Sequence, residues 1–494
     1  MHRILLLKHL NLVFYPIMRL LFSLLLVTLT LSSCKKDLAA DKGETAYIGG
    51  EIINPIDKQV IIRKSNVIID TILLDNKNRF LYKLNALESG LYTFKLQSQH
   101  GEEFQLALLE PKDSVMVRIN TIDFDESLVF TGNGAKKNNY LINMFLENEE
   151  INEKILSYYQ LEPIAFEKKI DSIRKHRSTS LNHFIQKNIT SELFQEISKA
   201  NIDYNYYLSK EIYPFAYYGD NEIKNLQSLP QNFYNYRKDI DYNSIALKDY
   251  FTYKTFLRYH FKNLALSEHL KNSKDSILKR NSYCYNLDKL KLIDSLITDK
   301  DIKNPLLSIS SIDYINKTKN IKELDSFLEF YYEKSTDTND KNYIEKLVKS
   351  LKQLQIGNKI PNVTLVNYKN QQVDLHKLIR RPTALYFWSK DYKSHLQESH
   401  TKVKELMLKY PEVNFISINI DDSHLRDNSR ILQQYGLTYQ HEYQLKNPKE
   451  AKEALAINPI IKVMLVDRKG KIIDPHTNLF SVQFEEELLG LLNQ

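Results

Sequence analysis

The residues best placed to do chemistry lie late in the chain, in Trp388-Ser389-Lys390-Asp391-Tyr392. The apolar run Ala384-Leu385-Tyr386-Phe387 leads into them, and a helical pattern follows. A buried strand that delivers polar side chains to a helix N-terminus reads this way. A hydroxyl there has two uses. As a nucleophile, Ser389 needs a positioned base and oxyanion donors. His395 and His400 share its helix, and nothing in their spacing brings either to Ser389. As a cap, Ser389 accepts first-turn N–H groups, and Asp391 suits the helix dipole. We expect the cap.

Other candidates are sparse. His395, His400, His424 and His441 match no zinc-ligand spacing, so surface histidines and no metal are expected. No phosphate-binding loop, Gly-x-Ser-x-Gly or His-Glu-x-x-His is present, and no cofactor is expected. The chain has two cysteines, Cys34 and Cys284. Cys284, between Tyr283 and Tyr285, reads as a small buried apolar residue.

Cys34 bears on location. Arg19 precedes an apolar run from Leu20 to Leu31, and Ser32-Ser33-Cys34 follows it. A basic start, a short apolar stretch and small residues before a cysteine make a secretory signal, too short for a comfortable membrane span. The signal reads best from Met18, so the true start is Met1 or Met18. The pattern resembles the bacterial lipobox, which implies lipid attachment at Cys34 and a membrane-tethered protein. Loss of residues 1–34 removes Arg3, Lys8 and Arg19 and no acid, so the net charge falls from +7 to +4. So mild a charge gives no argument for nucleic acid. With Cys34 acylated, the mature chain has no internal disulfide.

The 494 residues are 43% hydrophobic and 26% charged, as in folded multidomain proteins. The expected fold is multidomain α+β. Residues 1–34 are the signal and 35–44 a polar tether. Short apolar runs such as Val60-Ile61-Ile62 and Val115-Met116-Val117, parted by turns such as Asn54-Pro55 and Ser89-Gly90, predict an antiparallel β-sandwich over 45–135. Residues 136–354 change to three- and four-residue spacing and predict helices, with Asn304-Pro305 as a turn between two of them. Two tyrosine-rich clusters, Tyr204 to Tyr218 and Phe233 to Phe261, read as helix core with amphipathic rims, or as a stacking platform for sugars.

Residues 355–494 resemble the membrane-tethered thioredoxin-like proteins of the TlpA/ResA type, within the wider AhpC/TSA-like group of thiol-disulfide oxidoreductases. The resemblance rests on Gly357-Asn358-Lys359-Ile360-Pro361, Leu385-Tyr386-Phe387-Trp388, the strand Val413 to Asp421, and Asp467-Arg468-Lys469-Gly470-Lys471. The N-terminal strands, with Gly49-Gly50-Glu51-Ile52 and Pro111-Lys112-Asp113-Ser114, resemble the β domain that precedes such modules in Gram-negative lipoproteins. The family implies a C-terminal thioredoxin-like α/β domain and a Cys-x-x-Cys pair at positions held here by Ser389 and Tyr392. It also implies a cis-proline that, counted back from Asp467, falls on Ile461, with Pro459 two residues earlier. A serine hydroxyl exchanges no electrons with a disulfide.

The expectation is therefore an envelope lipoprotein whose redox-inactive module binds a protein or peptide through Trp388, Lys390, Asp391, Ile460 and Ile461. It would be lipid-anchored at the outer membrane and face the periplasm. The alternatives are a thiol-disulfide oxidoreductase that uses Cys284 or a partner's thiols, and a glycan-binding outer-membrane lipoprotein.

Overall fold

The computed structural model describes residues 45–65, 67–98, 101–219, 229–272, 279–318 and 321–493. The expected signal, Cys34 and the tether lie outside the described residues. No described helix is long and apolar enough to cross a membrane.

Eight strands come first: β1 (Ala46–Ile53), β2 (Gln59–Lys64), β3 (Val67–Leu73), β4 (Arg79–Leu84), β5 (Gly90–Ser98), β6 (Gly101–Leu109), β7 (Ser114–Asn120) and β8 (Val129–Asn133). They form two four-stranded sheets, ordered β4-β1-β7-β8 and β3-β2-β5-β6. Alternate side chains from both, among them Ile48, Val117, Phe130, Ile62 and Phe94, share one core. The pairing is not wholly antiparallel, because β1 runs parallel to β7. Gly50 allows that pairing: at φ 154 its Cβ would stand 2.0 Å from the Val117 carbonyl oxygen.

The first helix, α1 (Ala135–Tyr158), locks both sheets at an edge. The Asn138 amide exchanges two hydrogen bonds with the Leu108 backbone of edge strand β6, at 2.7 and 3.0 Å. Asn139 does the same to Phe130 of edge strand β8, at 2.9 and 2.8 Å. Two consecutive asparagines thus stand in for missing neighbour strands, which satisfies edge groups that would otherwise recruit other chains.

The helices α2 (Pro163–Lys187), α3 (Glu192–Tyr217), α4 (Phe251–Asn272), α5 (Tyr283–Leu296), α6 (Lys300–Lys317), α7 (Ile321–Lys334) and α8 (Thr338–Gln353) follow. Asn304-Pro305 is not a turn but lies inside α6, whose N-terminus is capped by Asp299 instead. Much of the tyrosine clusters is core: Tyr204, Tyr253 and Phe256 pack edge-on or tilted in one buried group and Tyr213 and Phe233 in another, while Tyr217, Tyr218 and Tyr259 are half-buried at the rim. Cys284, expected inside, is exposed in the first turn of α5. Its helix buries Tyr285, Leu290 and Ile293 and leaves position 284 facing out.

A polar knot ties α3 to α4. The Glu211 carboxylate, fully buried, takes two hydrogen bonds from the Arg237 guanidinium at 3.0 and 2.6 Å. Tyr236 donates to it at 2.7 Å, and His260 Nδ1 lies 2.6 Å away. Burial acts to raise this carboxyl, but Arg237 and His260 outweigh it and hold the group below its ordinary range.

The C-terminal region contains β9 (Thr364–Asn367), β10 (Gln372–Asp374), α9 (Leu375–Leu378), β11 (Thr383–Trp388), α10 (Lys393–Lys409), β12 (Asn414–Asn419) and α11 (Leu425–Gln434). Then come β13 (Glu442–Leu445), α12 (Pro448–Ala454), β14 (Lys462–Val466), β15 (Ile472–Asn478) and α13 (Phe484–Leu492). The seven-stranded sheet is ordered β10-β9-β13-β12-β11-β14-β15. β11, β12 and β14 are buried throughout; β11 and β14 read as near-continuous apolar runs, while β12 also buries Asn414, Ser417 and Asn419. One face, with Ala384, Phe415 and Leu465, is covered by Val403 and Leu406 of α10 and Phe484 and Leu488 of α13. The other face, with Leu385, Ile416 and Met464, joins a core that includes Ile344, Leu347 and Val348 of α8. Burying each of the larger of these side chains contributes about 1.5–3 kcal/mol of transfer free energy.

Candidate functional site: the β11–α10 junction

β11 ends at Trp388, and α10 begins only at Lys393. Residues 389–392 form a turn closed by Tyr392 N–H donating to the Ser389 carbonyl at 3.2 Å. Ser389 is therefore not the helix cap. The N-cap position belongs to Tyr392, without a side-chain cap, and the Ser389 hydroxyl accepts the Asp391 N–H at 3.1 Å. The reason is spacing: a cap reaches N–H groups two or three residues into the helix, and here those residues are still turn. Asp391 also precedes the helix. Burial and the charge of Asp421 raise its carboxyl.

Trp388, expected on a binding surface, is fully buried. Its indole N–H donates to Glu442 Oε2 at 3.2 Å. The other oxygen, Oε1, lies 3.0 Å from His400 Nε2. His400 Nδ1 faces the Leu396 carbonyl at 2.7 Å, so that nitrogen carries a proton and Nε2 is the one that meets the carboxyl. The Ser417 hydroxyl sits 3.3 Å from the same Nε2. His400, read as a surface histidine, is thus a buried member of a Trp388–Glu442–His400 chain under the junction. Its ring lies on the inward face of α10 with Leu396 and Val403. Burial lowers the affinity of nearby His395 for protons, and His400 adds to the effect.

The opposite wall of the junction also differs from expectation. The cis peptide is Asn458-Pro459, so Ile461 is not the cis-proline position and Pro459 is. Counting from Asp467 misplaces it by two, because Ile460 and Ile461 lead into β14, which starts at Lys462. The antiparallel register Tyr386↔Val463 sets the end of β11 beside the start of β14. That brings Ser389–Tyr392 and Pro459–Ile461 to the same end of the sheet. Asp391, Tyr392 and Ile461 are exposed there, while Lys390, Pro459 and Ile460 are half-buried. Lys390 N–H is pinned to the Asp421 carboxylate at 2.8 Å.

Sequence reading missed two further groups. Lys462 is buried, and its ammonium donates to the Leu455 and Ala456 carbonyls at 2.9 and 3.0 Å, which ties the end of α12 to β14. Burial pushes it down to about 7. Glu442 gave no local signal, because its partners lie 42 and 54 residues away.

The arrangement carries no sulfur at either former redox position. Among the described residues, no histidine or carboxylate is hydrogen-bonded to the Ser389 hydroxyl, and no group of three or more His, Cys, Asp or Glu could hold a metal ion.

Residues 380–472 match the family model described as thioredoxin-like. No curated protein matches the chain. Among solved structures, a protein described as a thiol-disulfide oxidoreductase from Bacteroides vulgatus is 18% identical, over 28% of this chain and 98% of that one, at a TM-score of 0.26. A thiol:disulfide interchange protein from Bacteroides sp. is 16% identical, over 29% and 93%, at 0.25. A protein described as the thiol:disulfide interchange protein DsbE from Chlorobium tepidum is 19% identical, over 28% and 98%, at 0.24. By its family match, the C-terminal segment of this chain is thioredoxin-like.

Proposed function

We propose that the chain is an envelope lipoprotein whose thioredoxin-like segment binds a protein or peptide and performs no dithiol chemistry. One observation carries this reading. The junction holds Ser389 and Tyr392 where the resemblance implies cysteines, and the Ser389 hydroxyl is buried and engaged with Asp391 N–H. A thiolate at a strand-to-helix junction is the nucleophile of disulfide exchange, and an engaged alcohol cannot replace it. The surface beside Pro459 keeps exposed Asp391, Tyr392 and Ile461 available to an extended segment.

The rest of the chain would act as a spacer and frame. Cys34 would carry the lipid, residues 35–44 the tether, residues 45–135 a β-sandwich, and residues 136–354 the helical domain that backs the binding segment at 355–494. The expected address is the outer membrane, facing the periplasm. Radiolabelled palmitate should enter the wild type and not a Cys34→Ser variant.

The rival reading is an oxidoreductase that works through Cys284, and the exposure of that thiol favours testing it. Insulin reduction by the full chain decides between them. The binding reading expects no turnover above background, with wild type and Cys284→Ser alike. Thiol-dependent turnover that Cys284→Ser abolishes overturns it.

A further inference from the structure

A cleft of about 580 Å³ opens between α8 and α12. That volume falls in the range of ligand sites, roughly 300–1,000 Å³. Its floor is apolar, formed by Leu347, Pro448, Ala456 and Ile457 with the Tyr343 ring. The Tyr343 hydroxyl accepts the Asn458 amide N–H at 2.7 Å, so α8 is fastened to the residue just before Pro459. Asp422, on the same cleft, directly follows the Asp421 that pins Lys390. The cleft thus meets the junction surface at two points, one on each side.

The rim is unevenly charged. Lys346 spends its charge on Glu453 at 3.4 Å. Lys449 and Lys452 form no ion pair among the described residues, and they stand three apart on α12, on one face. Two like charges so placed repel, and a carboxylate set between them relieves the repulsion. Asp422 is the one carboxylate on the rim that no described cation pairs. It lies at the end nearest the junction, where a backbone N–H of an extended segment can be accepted.

We infer that this cleft is a docking site for a short acidic protein segment with an apolar side chain. The apolar residue fills the floor over Leu347 and Ile457, its acidic neighbours lie between Lys449 and Lys452, and the backbone runs out past Asp422 towards Pro459. The inference rests on the reading of the C-terminal segment as a binding module, and it names the kind of partner. The charged wall, α12, lies inside the 380–472 match, while α8, outside it, supplies Tyr343 and Leu347 to the apolar floor.

The test is fluorescence anisotropy on the full chain in detergent. The probe is a labelled ten-residue peptide of alternating leucine and glutamate, and the control has lysine for glutamate. The acidic peptide should bind and the basic one should not, with binding weakened by salt, as partly exposed charges require. Lys449→Glu combined with Lys452→Glu should lower affinity for the acidic peptide at least tenfold and leave the thermal midpoint unchanged. Three results overturn the inference: no binding of the acidic peptide, unchanged affinity in the double reversal, or binding of anionic phospholipid vesicles without peptide binding. Peptide binding abolished by Ile461→Asp but indifferent to the lysine reversal also overturns the cleft, yet leaves the binding-module reading standing. Insulin turnover that depends on Cys284 removes that reading whatever the peptide does.

Discussion

Among the described residues two glutamate–histidine pairs are buried, and they are built differently. In the helical region Glu211 faces His260 Nδ1, but Arg237 supplies a permanent positive charge through two hydrogen bonds. The His260 ring is held at both nitrogens, with Nε2 2.9 Å from the Tyr242 hydroxyl. Under the junction, Glu442 has no guanidinium. It has the Trp388 indole and His400, whose Nδ1 proton is already committed to the Leu396 carbonyl. The Glu442–His400 contact must therefore hold one proton of its own, on either partner. The first pair is a closed lock, with its charge balanced by a third residue. The second shares a single proton within itself, directly beneath a surface read as a binding site.

The largest effect expected from this contrast comes from Arg237→Met. It strands the buried Glu211 carboxylate and should cost about 3–5 kcal/mol in urea unfolding. A loss below about 1 kcal/mol would mean that Arg237 does not balance the charge and that the two pairs are alike. Acid titration sharpens the same point. The folded Glu211 carboxyl is held below its unfolded value, so its contribution is complete above the unfolded range near pH 4.3 and is lost as pH falls through the lower folded value. Urea midpoints at pH 6 and pH 3 should differ more in wild type than in Glu211→Gln.

Glu442 offers the intermediate test. Glu442→Leu leaves the Trp388 N–H without a partner and His400 Nε2 with only the Ser417 hydroxyl at 3.3 Å, and should cost about 2 kcal/mol or more. Glu442→Gln keeps an acceptor for the indole and offers N–H to Nε2, so about 1 kcal/mol is expected. Equal costs for the two substitutions would show that hydrogen bonding by the Glu442 side chain is irrelevant here. The smallest effect belongs to Ser389→Ala, which removes one acceptor of a turn N–H and should cost no more than about 1 kcal/mol by calorimetry. A larger loss would restore the helix-cap role that the geometry denies it.

Most elements were legible because each rests on local pattern. The seven strands from Ala46 to Asn120 follow apolar runs between turns, and the thioredoxin-like landmarks from Gly357 to Gly470 lie on the strands and turns expected of them. β8 went unread because Val129–Asn133 is short and mostly exposed. The site was less legible. A cap role for Ser389 requires the helix to start at once, and a four-residue turn intervenes. Pro459 was displaced by a count that ignored a two-residue lead into β14. His400 needed its partner Glu442, and contact across strands at that separation leaves no periodic trace. Cys284 looked buried because its neighbours are aromatic, yet only one face of a helix points inward.

Trp388 has one more consequence. It is the only tryptophan among 494 residues, fully buried, with its N–H on a carboxylate. The protein therefore carries its own optical probe at the junction. Selective excitation of that single indole reports one place in the molecule, so quenching or a red-shifted emission would register water reaching the site or a partner displacing the Glu442 contact, with no label attached.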